Sequence, residues 1–194
     1  MRQRRECSLL LCIICSDTEL KIGANKDMAK RVARMGILTA LAMVFSYVEV
    51  LIPFSFGIPG VKLGVANLVV LTGLYLLKPQ EVFLISLVRI LLMGVLFGNA
   101  ASLIYSLAGG IFSFCVMLIC KKTSWFSMTG VSVAGGVSHN LGQLLAAMVV
   151  LGSKKIGYYF HVLILAGIVT GVLIGIVSDR IAKILGKQEL NGIF

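Results

Sequence analysis

The chain reads as an all-α integral membrane protein of six transmembrane helices, with both termini on the cytoplasmic side, and three observations carry that reading. Long apolar stretches recur six times along the 194 residues. Only 13% of the residues are charged against 58% hydrophobic, whereas a soluble domain carries about 25% charged residues to face water. The lysines and arginines gather in the loops of one side, the pattern that sets orientation in a bilayer.

Taking about 20 apolar residues as the length that crosses the hydrocarbon, the spans are expected at 35–53, 61–77, 81–97, 100–120, 128–151 and 157–178. They are expected as helices, because a segment in lipid must satisfy its backbone hydrogen bonds internally. Lys78-Pro79-Gln80 leaves room only for a tight hairpin between the second and third. Lys26, Lys30, Arg31 and Arg34 precede the first span, Lys78 follows the second, Lys121 and Lys122 follow the fourth, and Arg180, Lys183 and Lys187 follow the sixth. Lys62, Lys154 and Lys155 are the basic residues of the opposite side. A multi-pass protein of the cell membrane is expected, with a membrane domain at 28–185 and a cytoplasmic tail at 186–194.

Residues 1–27 are expected to be a poorly ordered N-terminal extension. Arg2-Gln3-Arg4-Arg5 followed by the apolar run Leu9–Cys15 imitates a signal peptide but lacks a small-x-small cleavage site and is too short to span. Met28-Ala29-Lys30-Arg31 reads as a natural start just before the first span. The net charge of +10 belongs to the ends of apolar segments, where it meets anionic lipid, so no nucleic-acid partner is expected. Cys12-Ile13-Ile14-Cys15 has redox or zinc spacing but no second ligand pair, and neither a metal nor a cofactor is expected.

Polar side chains inside spans are costly and face a cavity or a partner. Glu49, Asn67, Arg89, His139, Asn140 and Gln143, together with Lys62, form such a set, and are expected to converge on a pocket open to the outside. His139 and Gln143 share a helix face through i,i+4 spacing, and Asn140 pairs with Gln143 through i,i+3. Arg89 could alternatively form a structural ion pair with Glu49 or snorkel, and His139 could be a bundle hydrogen bond rather than a ligand contact. The proline- and glycine-broken segment 53–60 either covers the pocket or anchors at the interface. Gly167, Gly171 and Gly175, and Gly36 with Ala40, form smooth stripes that either pack within the bundle or receive another subunit.

Pro59-Gly60-Val61-Lys62-Leu63-Gly64-Val65-Ala66-Asn67, Ser86-Leu87-Val88-Arg89-Ile90-Leu91, Tyr105-Ser106-Leu107-Ala108-Gly109-Gly110 and Ser138-His139-Asn140-Leu141-Gly142-Gln143 closely resemble, in that order, the Gx transporter family. That family also carries the label heptaprenyl diphosphate synthase component I, and the resemblance covers roughly residues 30–180. The family in turn looks like the substrate-binding S components of energy-coupling factor transporters. The resemblance implies an S-component-like bundle that captures a small micronutrient or precursor outside. It also implies partnership with a coupling transmembrane protein and two ATPase subunits. Gly36, Ala40, Ala42 and Ser46 match the coupling surface of the first helix, although the usual alanine pair at four-residue spacing is not reproduced.

No enzyme activity is expected of the chain itself. It has no GxxxxGK[ST] loop for ATP, and its aspartates, Asp17, Asp27 and Asp179, are too scattered to hold magnesium and diphosphate for prenyl transfer. The expected function is capture of a small anionic or zwitterionic molecule. The alternative is an accessory membrane subunit linked to heptaprenyl diphosphate or isoprenoid-quinone synthesis.

Overall fold

The computed structural model describes residues 28–49, 51 and 65–190, and every regular element among them is helical. The elements are α1 (Met28–Glu49), α2 (Asn67–Leu76), α3 (Pro79–Phe97), α4 (Ala100–Thr123), α5 (Met128–Leu151), a 3-10 segment (Lys154–Tyr159) and α6 (Phe160–Leu190). Residues 1–27, the Cys12–Cys15 pair, the segment 53–60 and Lys62 lie outside the described residues. The chain divides into two compact units, Met1–Ile37 and Leu38–Phe194. Among the described residues the first holds the opening turns of α1, and the second holds everything that follows.

Five segments are long and apolar enough to cross a membrane: α1, α3, α4, α5 and Lys155–Ile184. The chain is thus a multi-pass helical membrane protein. The remaining span, expected at 61–77, is described from Val65 onward and forms the ten-residue α2, which rises only about 15 Å against a hydrocarbon core of about 30 Å. Helix α6 continues to Leu190, past the boundary expected after residue 185.

The helix ends follow local chemistry. Pro79 stands in the first turn of α3, where its missing N–H costs nothing and its φ suits the helix. Asn99 accepts from Ser102 N at 2.8 Å to start α4, and Ser127 accepts from Gly130 N at 3.2 Å to start α5. Ser124 and Gly152 close those helices in the left-handed conformation, at φ 56° and 61°. Lys121 Nζ donates to Leu74 O at 2.5 Å and lies 5.0 Å from the centroid of the Tyr75 ring, so a lysine from α4 caps the last carbonyls of α2.

Helix α5 is the centre of the bundle, packed between α4 and α6, with α2 against α6 and α3 against α4. The glycine stripe of α6 resolves as internal packing. A Cβ at Gly171 would lie 2.6 Å from Val133 Cα, one at Gly175 2.7 Å from Thr129 Cα, and one at Gly136 2.6 Å from Gly167 O. Two helix backbones therefore touch along three turns, which only residues lacking a side chain permit. Under α2, Leu71, Leu74, Met117 and Val131 form the buried apolar core. The outward surface is apolar as well: Val95, Val149 and Leu165 are exposed, as lipid contact requires. Trp125 at one end and Tyr158 at the other are 87% and 85% exposed, the positions where amphipathic rings meet headgroups.

Candidate functional site

The last turns of α1, the second half of α3 and the first turns of α4 enclose a small, partly open cavity of about 30 Å³. That is room for one or two water molecules. Ser46, Glu49, Arg89, Ser102 and Ser106 supply its polar lining, and Ile90, Met93 and Gly94 its apolar wall. Arg89 is only 8% exposed, and its Nη1 donates to Ser46 Oγ at 3.2 Å. Its Nε is buried with no hydrogen-bond partner among the described residues. The Glu49 carboxylate lies within Coulombic reach of the guanidinium. The pocket therefore presents a planar cationic fork, one carboxylate and three hydroxyls that serve as donor or acceptor.

Why the cavity exists follows from α4. Gly110 meets Ile90, with an added Cβ only 2.6 Å from Ile90 Cδ1, and Gly94 meets the Leu103 side chain. Helices α3 and α4 thus seal against each other at Ile90 and Gly94, just beyond Arg89, and the long arginine side chain is directed to Ser46 on α1.

The other expected residues form a separate polar set around α5. Asn67 opens α2 and donates from Nδ2 to Ser113 Oγ at 3.4 Å; Ser113 Oγ donates to Gly135 O at 2.8 Å, which also accepts from Ser138 Oγ at 3.0 Å. Asn140 Nδ2 donates to Leu163 O of α6 at 2.8 Å. Gln143 and His139 pack against Gly109, where a Cβ would lie 2.7 Å from Gln143 Cγ and 2.8 Å from His139 O. Gln143 is wholly buried, and both its amide atoms, like Asn140 Oδ1, lack a partner among the described residues.

The expectation of one hollow lined by all seven residues thus gives way to two sets. Glu49 and Arg89 share the cavity, while Asn67 is engaged by α4 and Asn140 by α6, and Lys62 lies outside the described residues. The four small residues of α1 also separate. Ala42 and Ser46 are buried, whereas Gly36 and Ala40 are exposed, because a two-residue offset turns about 200° around a helix. Ser102, Ser106 and Ser113 were not singled out from sequence, although Ser102, Ser106, Gly109 and Ser113 follow one another at helical spacings of four, three and four. That stripe of small residues was the available signal. Among the described residues no group of three or more His, Cys, Asp or Glu could hold a metal ion.

The family model described as heptaprenyl diphosphate synthase component I matches residues 38–181, most of the 194-residue chain. The chain belongs to the heptaprenyl diphosphate synthase component I family. The region shared with that family contains the whole cavity lining and the polar set around α5, and it begins after Gly36. Comparison with curated proteins and with solved structures returns no match.

Proposed function

We propose that the chain is the membrane-embedded substrate-capture subunit of an importer of the energy-coupling factor type, working with a coupling transmembrane protein and two ATPase subunits and catalysing no reaction itself. The observation that carries this reading is Arg89: an arginine only 8% exposed within a membrane bundle, lining a cavity, with an N–H that has no partner among the described residues. Burying such a cation in lipid is costly, and function is the usual reason for it. With Lys78, Lys121 and Lys122 in the cytoplasm, the cavity falls in the outer half of the bundle, where an importer receives its ligand. A cavity of about 30 Å³ holds only the polar head of a micronutrient, since whole-ligand sites measure about 300 Å³ or more. The tail must leave through the opening or spread α1 from α3.

Of the small residues of α1 in the second unit, Ala40 is exposed and is left for a coupling surface. The polar set at Asn67, His139, Asn140 and Gln143 ties α2, α4, α5 and α6 together and carries the ligand only if the bundle opens around it. The test is native mass spectrometry of the gently extracted chain. A retained small molecule is expected in the wild type and absent from Arg89→Lys, which keeps the charge but loses the planar fork. Retention by Arg89→Lys and by Arg89→Ala alike would remove this cavity from the capture site.

The family's description favours a second reading, an accessory membrane subunit of a polyprenyl diphosphate synthase. Copurification separates the two. Recovery with ATPases supports capture, and recovery with a soluble aspartate-rich synthase supports the accessory role.

A further inference from the structure

We infer that the cavity takes a zwitterionic head group, a carboxylate and an ammonium carried close together, rather than a simple anion. This deepens the capture reading and rests on it. Among the described residues the charged groups lining the cavity are Arg89 and Glu49, one of each sign, and they stand within Coulombic reach of each other. These two charges cancel. Adding a net anion would leave one uncompensated negative charge between membrane helices, and adding a cation would leave one positive charge, both strongly disfavoured where water is scarce. A zwitterion adds no net charge, and its two ends meet their complements.

The geometry assigns the ends. The ligand carboxylate meets the guanidinium, whose Nε N–H has no partner among the described residues while Nη1 is held by Ser46. The bond to Ser46 thus fixes the direction of the fork and leaves its Nε N–H without a partner among the described residues. The ammonium, with three donors and no acceptor, meets Glu49 and the hydroxyl oxygens of Ser102 or Ser106 on the α4 side. A volume of about 30 Å³ is room for one or two water-sized groups, so seating both ends of the head group requires α1 to spread from α3, with Ile90 and Met93 as the apolar wall.

The experiment is calorimetric titration of the full chain in lipid nanodiscs with three probes that share one isobutyl tail: leucine, isocaproate, which lacks the amino group, and isopentylamine, which lacks the carboxylate. In the wild type, leucine is expected to bind at least about tenfold more tightly than either. Glu49→Gln makes the site cationic and is expected to move the preference to isocaproate. Arg89→Gln makes it anionic and is expected to move it to isopentylamine. Isocaproate binding the wild type as well as leucine does overturns the inference, and so does absence of binding by all three. The first result, with copurifying ATPases, leaves capture standing and removes only the zwitterion. Absence of binding together with an empty native mass spectrum removes both.

Discussion

Gln143 and Arg89 are both buried polar residues with unpartnered atoms, yet their surroundings assign them different work. Arg89 lines a cavity, so its guanidinium has space beside it for a ligand. Gln143 is wholly enclosed, its Cγ against the Gly109 turn of α4, and its two amide atoms carry a desolvation cost of about 1–3 kcal/mol when left unpaired. Gln143→Met keeps the volume and removes both polar atoms. It is expected to hold or raise the thermal unfolding midpoint, by the equivalent of about 1 kcal/mol, and to leave leucine binding unchanged; a sharp fall in stability would mean that the amide is paired by ordered water or ligand. Ser113 is the opposite case, because its hydroxyl both accepts from Asn67 and donates to Gly135 O. Ser113→Ala strands the Asn67 amide and should lower stability by about 1–3 kcal/mol, read as a drop in midpoint in the same detergent.

Between helices, contact is made by absence of side chains rather than by apolar interlocking. Lipid is as apolar as the core, so burial of hydrocarbon drives little helix association and close backbone approach must supply it. At Gly171 an added Cβ would stand 2.6 Å from Val133 Cα, a backbone atom that cannot rotate aside. Gly171→Ala is therefore expected to cost about 1–3 kcal/mol. Gly157→Ala, whose Cβ would meet Met148 Sδ at an ordinary 3.7 Å, should stay within about 0.5 kcal/mol. Thermal unfolding of the two variants side by side checks the pair, and equal midpoints would mean that α5 and α6 do not pack along the stripe.

The same physics decides what the sequence made legible. The five long helices could be read from length and composition because bilayer thickness dictates both, and α5 begins and ends at the expected Met128 and Leu151. Which way a side chain faces could not be read as easily. In water an apolar stripe marks the buried side, but here Val95 and Val149 are exposed while Val70 and Val131 are buried, so hydrophobicity carries no inside-out signal. Polar residues were visible one by one, but not their partners: Asn67 finds Ser113 and Asn140 finds Leu163 O, both set by which helices neighbour each other. The cavity serines of α4, Ser102 and Ser106, were missed because a hydroxyl on a membrane helix can satisfy itself on its own backbone, as Thr170 does with Ala166 O. Orientation is where sequence and structure combine into a test. Antiparallel packing brings Lys121 of α4 to the end of α2 beside Lys78, so the basic loops share one end of the bundle while Tyr158 marks the other. Translocating the end that holds Lys78, Lys121 and Lys122 is disfavoured, and the capture reading requires the Arg89 cavity in the outer half. On a cysteine-free background, Tyr158→Cys is expected to react with a membrane-impermeant maleimide on right-side-out vesicles. Gln80→Cys and Thr123→Cys, both exposed positions, are expected to react only after permeabilisation. The reverse pattern would turn the cavity toward the cytoplasm, and capture from outside would then be impossible however well the site bound its ligand.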